Sequence, residues 1–148
     1  MALTVRNVEY FYIRIEGSPE KSYEFLAELA TAEVSLLAFS AVPFGPNYLE
    51  LTIFPDRRDV FVQLARKKGW EVSGPQHAFL VQGDDGLGSL ADIQLMLLQA
   101  NVDIYASSGV TDGHGRYGYV IYFREEDNER AARALGAVRP AEDTAADR

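Results

Sequence analysis

One arrangement of strands and helices is written twice along this chain of 148 residues, with a period of roughly 66 residues from Gly17 to Gly83. In the first half, Tyr10 to Glu16 alternates apolar and polar positions, as a half-buried strand does. Gly17-Ser18-Pro19-Glu20 is a turn, with Ser18 placed to cap a helix and Pro19 as its first residue. The helix runs from Glu20 to Ala32, with Tyr23, Leu26, Leu29 and Ala30 at helical spacing. Strands follow at Val34 to Val42 and at Tyr48 to Phe54, joined through Pro43 to Asn47. Asp56 is the expected cap of a helix over Arg57 to Lys68, which Gly69 stops. Trp70-Glu71-Val72 begins a fourth strand.

The second half repeats that order. His77 to Gln82 is a strand, the Gly83 to Gly88 loop leads into a helix over Ser89 to Ala100, and Val102 to Val110 is a strand. Thr111 to Gly115 is a hairpin turn, Tyr117 to Phe123 a strand, and a helix opens at Glu125 to Asp127 and ends before Gly136. Ala137-Val138-Arg139 is at most a vestigial last strand, so this half needs an edge strand from its neighbour or from a second chain. The pattern predicts an α+β chain of two ferredoxin-like βαββαβ units, with antiparallel sheets packed side by side and helices on one face of each. The expected division is 1–74, 75–139 and a disordered tail at 140–148, with Ser73-Gly74-Pro75-Gln76 as a short connection.

Composition narrows the function. With 47% hydrophobic residues the chain can build a core, and no apolar run approaches the ~18 residues of a membrane span. The first residues carry no apolar h-region, which predicts no secretory signal, and the lack of cysteine fits a reducing cytoplasm while removing thiolate chemistry. A net charge of −8 disfavours nucleic-acid binding, and the basic run Arg66-Lys67-Lys68 complements a helix C-terminus. The strand aromatics Tyr10, Tyr12, Tyr117, Tyr119 and Tyr122 therefore read as packing or a dimer interface rather than as a base-stacking platform. No catalytic serine frame, phosphate-binding loop or dinucleotide fingerprint occurs, and His77 and His114 lack companions at metal-ligand spacing.

What remains is Gly83-Asp84-Asp85-Gly86-Leu87-Gly88-Ser89 between a strand and a helix. Glycines let backbone amides approach a ligand, and a helix N-terminus suits a carboxylate or phosphate. Together with Ile93, Leu97 and Asn101-Val102-Asp103-Ile104, this stretch resembles an ACT domain, a small regulatory module that senses amino acids. The first unit shares the element order, but its loop, Gly17-Ser18-Pro19-Glu20-Lys21-Ser22, departs from the pattern. The resemblance implies tandem ACT-like units that bind an amino acid without catalysis or cofactor, as a homodimer that modulates a partner enzyme or regulator. It implies ligand contacts at Asp84, Asp85, Gly86, Leu87, Gly88, Ser89 and Asp103, with an aspartate accepting from the ammonium and amides at Leu87 to Ser89 taking the carboxylate. The alternatives are an adaptor that has lost its ligand, a small enzyme holding a divalent metal on Asp84, Asp85 and Asp103, and a sheet-face RNA binder.

Overall fold

The computed structural model describes residues 3–84 and 86–136. The elements are β1 (Leu3–Glu16), α1 (Pro19–Thr31), β2 (Leu36–Phe44), β3 (Tyr48–Pro55), α2 (Arg58–Lys68), β4 (Val72–Gly83), α3 (Gly86–Gln99), β5 (Ile104–Thr111), β6 (Tyr117–Phe123) and α4 (Asn128–Leu135), with a short 3-10 helix at Glu125–Asp127 before α4. Hydrogen-bonded neighbours in the sheet run β2-β3-β1-β4-β6-β5. The chain divides into two compact units, one of residues 9–76 and one of 3–8 with 77 onward.

In the 9–76 unit, β1 and β2 pair antiparallel to β3, from Phe11↔Ile53 to Glu16↔Tyr48 and from Leu36↔Pro55 to Phe44↔Tyr48. The core is Phe11, Ile13, Phe25, Leu29, Leu51, Ile53, Phe61 and Leu64. Burying such side chains contributes about 1.5–3 kcal/mol each relative to exposure. Ser18 does cap α1: its Oγ accepts from the Lys21 N–H at 3.2 Å, with Pro19 opening the helix. The cap of α2 falls one residue later than expected, at Arg57, and no side chain serves it. The Asp56 N–H is drawn back to the Ser35 carbonyl at 2.8 Å, which holds Asp56 in the strand-end turn. Gly69 ends α2 in the left-handed region at φ +70°, where glycine pays no Cβ penalty.

β4 starts at Val72 and continues straight through Ser73-Gly74-Pro75-Gln76, which therefore is strand and not connection. Gly74 makes this possible, because a Cβ there would lie 2.8 Å from the Tyr10 carbonyl oxygen. Tyr10 is buried and donates its hydroxyl to Gln76 Oε1 at 2.9 Å, so this aromatic serves packing and offers no face to a base.

In the second unit, β6 pairs antiparallel with β4 and with β5, with Gly83↔Tyr117↔Thr111 at one end and Ile104↔Phe123 at the other. Phe79, Val81, Ile93, Leu97, Ile121, Phe123 and Ala131 form its core. Residues 3–8, outside the repeat as read from sequence, belong here rather than to the first half. Val5 packs against this core, Arg6 donates to Gln82 Oε1 at 3.2 Å, and buried Asn7 donates its amide to Asn128 Oδ1 at 2.6 Å. The helix α3 starts at Gly86 instead of Ser89. Glycine lowers helix propensity, but the packing of Leu90, Ile93 and Leu97 overrides it. β5 opens at Ile104, leaving Val102 and Asp103 ahead of it. Gly136 ends α4 at φ +61°, while Asp85, the 137–139 stretch and the 140–148 tail lie outside the described residues. Among the described residues no helix is long and apolar enough to cross a membrane.

Candidate functional site

The ends of β4, β5 and β6 meet at the register step Gly83↔Tyr117↔Thr111, and the chain leaves β4 there for α3. The hairpin between β5 and β6 is tied tightly. Thr111 Oγ1 donates to the Arg116 carbonyl at 2.9 Å and accepts from the Gly113 N–H at 3.2 Å. Asp112 Oδ1 accepts from the His114 N–H at 2.7 Å and the Arg116 N–H at 3.2 Å. Gly113 and Gly115 take the positive φ values the turn requires, +78° and +87°. These bonds fix the backbone of Arg116 and leave its side chain free to reach across to β4. Its Nε lies 3.6 Å from Asp84 Oδ1, with the two side chains 76% and 51% exposed. An ion pair that open to water contributes little to stability, so it is available for other partners.

Beside this pair is an open groove of about 470 Å³, lined by Asp84, Gly109, Thr111, Arg116, Tyr117 and Tyr119, among others. Tyr119 lies opposite Gly109 in the β5–β6 register, and its ring occupies the space a Cβ at 109 would need. Tyr119 stacks at a tilt on Tyr117, with ring centroids 4.9 Å apart. The groove thus has an anionic acceptor, a cationic donor and an aromatic wall within one unit.

Of the seven candidate residues, Asp84 lines this groove. Gly86, Leu87, Gly88 and Ser89 form the first turn of α3, so their amides belong to a helix start rather than to a free loop. Asp85 lies outside the described residues. Asp103 is exposed just ahead of β5, at the opposite end of that strand from Thr111. At ~3.3 Å per residue the eight residues from Asp103 to Thr111 separate Asp103 from the Asp84 end of the strand by roughly 25 Å, so these two carboxylates cannot share one ion within the unit. Among the described residues no group of three or more His, Asp or Glu side chains is placed to hold a metal. His77 pairs through Nδ1 with Glu125 Oε2 at 3.0 Å, and its backbone N–H donates to the same carboxylate. His114 serves the hairpin through its backbone.

Arg116, Tyr117, Tyr119 and Gly109 were not legible as site residues. The available signal was Gly109, a glycine inside a strand, which marks a close approach. Its partner across the sheet is a matter of register, which local pattern leaves open.

No family model and no curated protein matches the sequence. Solved structures do match in fold. Protein BT0572 from Bacteroides thetaiotaomicron aligns with TM-score 0.72 at 16% identity, covering 90% of this chain and 88% of that one. The ligand-free regulatory subunit of aspartate kinase from Thermus thermophilus aligns with TM-score 0.61 at 16% identity, covering 91% and 93%. A putative C-terminal regulatory domain of aspartate kinase from Porphyromonas gingivalis aligns with TM-score 0.53 at 15% identity, covering 91% and 94%. The fold is therefore ACT-like: α+β, with a six-stranded antiparallel sheet and four helices.

Proposed function

We propose that this protein is a non-catalytic regulatory protein of two ACT-like units, acting in the cytoplasm as a homodimer, that binds a free α-amino acid and passes the signal to a partner enzyme or regulator. The observation that carries the reading is the groove at the end of β4, where an aspartate and an arginine stand 3.6 Å apart beside an aromatic wall. A free amino acid carries an ammonium and a carboxylate close together. Asp84 accepts from the ammonium, Arg116 donates to the carboxylate, and the amides at the start of α3 add a positive end of a helix dipole. Such a ligand replaces one exposed ion pair by two shielded ones. Likeness in fold to a regulatory subunit over 91% of this chain supports a regulatory role. Asp103, remote from this groove, is left as a contact for the ligand of a neighbouring copy. The signal itself is a population shift, bounded by the ligand's differential affinity for two arrangements of the protein.

Thermal unfolding against each of the twenty amino acids tests this. A ligand at 100 times its dissociation constant adds about 2.7 kcal/mol, a shift of several degrees. The shift should vanish in Asp84→Ala and Arg116→Gln and weaken in Gly86→Ala. A response to magnesium alone, or no response to any amino acid, would remove this reading.

A further inference from the structure

Tyr117 lines the groove, is 8% exposed, and its hydroxyl is buried without a hydrogen-bond partner. Only one other buried side-chain atom among the described residues shares that condition, Asn7 Oδ1, and it lies on an amide whose nitrogen is satisfied by Asn128. A buried phenol normally finds a partner, because hydroxyl desolvation without one is costly. The position is not forced by the fold, since phenylalanine would fill the same space in this core beside Tyr119. Tyrosine here keeps a donor that the free protein does not use.

We infer that the Tyr117 hydroxyl selects the side chain of the bound amino acid, so that the ligand is an α-amino acid whose side chain carries a hydrogen-bond acceptor: a hydroxyl, an amide or a carboxylate. The inference rests on the reading of the groove given above and goes past it to the ligand's side chain. Asp84 and Arg116 meet the ammonium and the α-carboxylate at the rim, as both are exposed there. Tyr117 starts β6 directly opposite Gly83, next to Asp84, and so stands inward of that pair. A ligand held by its backbone groups at the rim directs its side chain towards Tyr117 and the Tyr119 ring. Arg116 is mostly exposed, so its side chain swings aside to admit the ligand without disturbing the sheet. The groove then discriminates by gain: a ligand with an acceptor pairs a donor that is otherwise buried and unpaired, whereas an apolar analogue leaves that donor as it is in the free protein.

The test compares near-isosteric amino acids on the full chain: threonine with valine, asparagine and aspartate with leucine, glutamine and glutamate with methionine. Dissociation constants come from calorimetry on the wild type and on Tyr117→Phe. Expected is a polar member bound at least about tenfold more tightly than its apolar match, equal to ~1.4 kcal/mol. In Tyr117→Phe the ratio should collapse to about threefold or less, while affinity for the apolar member stays within about twofold. Equal binding of polar and apolar partners, or a preference that survives in the variant, overturns the inference and leaves the amino-acid reading standing. Binding of no amino acid to the wild type overturns both. A ligand-free readout guards the premise: Tyr117→Phe should unfold at the wild-type temperature or higher, and a fall of more than about 5 °C would mean that the hydroxyl has a partner in the free protein.

Discussion

Replacing Gly109 by alanine should destabilise the protein, and should do so only while Tyr119 is present. Gly109 and Tyr119 face each other across β5 and β6, and the Tyr119 ring fills the site of the missing Cβ. The backbone at 109 has ordinary strand geometry, so alanine meets no conformational penalty there and gains roughly 0.5–1 kcal/mol over glycine through chain entropy. Against that gain stands the displaced ring. Overpacking costs about 1–3 kcal/mol, and the half-buried state of Tyr119 places it towards the lower end. The tilted pair with Tyr117, at 4.9 Å, adds about 0.5–1.5 kcal/mol that the movement puts at risk. The net effect of Gly109→Ala is a loss of about 1 kcal/mol. In a Tyr119→Ala background the ring is gone, and the same substitution should stabilise by ~0.5–1 kcal/mol. Urea unfolding of the four proteins of this cycle, followed by circular dichroism, gives a coupling energy of ~1.5–2 kcal/mol. Effects of Gly109→Ala that agree between the two backgrounds within about 0.3 kcal/mol would refute the close approach.

Other substitutions probe separate parts of the argument. Ser18→Ala removes the acceptor of the Lys21 N–H and should cost about 1 kcal/mol in urea unfolding, whereas Asp56→Ala, which caps nothing through its side chain, should stay within ~0.5 kcal/mol. Glu33 sits at φ +58°, and Glu33→Gly should raise stability by about 1 kcal/mol by removing the left-handed penalty, measured in the same assay. Arg116→Gln breaks only an exposed ion pair, so its unfolding midpoint should match the wild type while its response to amino acids disappears in the ligand screen. Asn7→Leu leaves Asn128 unpaired and puts a larger side chain in a buried slot, and should cost about 2–4 kcal/mol by denaturant titration.

The order of elements was legible because each signal is local. Alternation in Tyr10 to Glu16, the Ser18-Pro19 start of α1, the stops at Gly69 and Gly136, and the hairpin glycines 113 and 115 all act on neighbouring residues, and the structure has them in those roles. Boundaries set by packing were not legible. Gly86 to Gly88 looked like loop because glycine disfavours helix, yet they are the first turn of α3 once Leu90 and Ile93 bury their faces. Ser73 to Gln76 looked like a connection because glycine and proline punctuate, yet they are strand because the Tyr10 backbone lies alongside Gly74.

The candidate site divides in the same way. Asp84 was visible from its place after a strand in a glycine-rich turn, but Arg116, Tyr117 and Tyr119 reach it only through the register of β4 on β6, more than thirty positions away in the chain. The same limit hid residues 3–8, whose few alternating side chains carry no statement of which strand they will join. By itself, then, the sequence determined the order of elements, the class of fold and the ends of several elements, since alternation, caps and glycines act within a few residues. Which strands lie side by side, which unit residues 3–8 join, and which charged and aromatic groups converge on one groove were decided by pairing and burial between distant segments, and those energies exist only once the chain has folded.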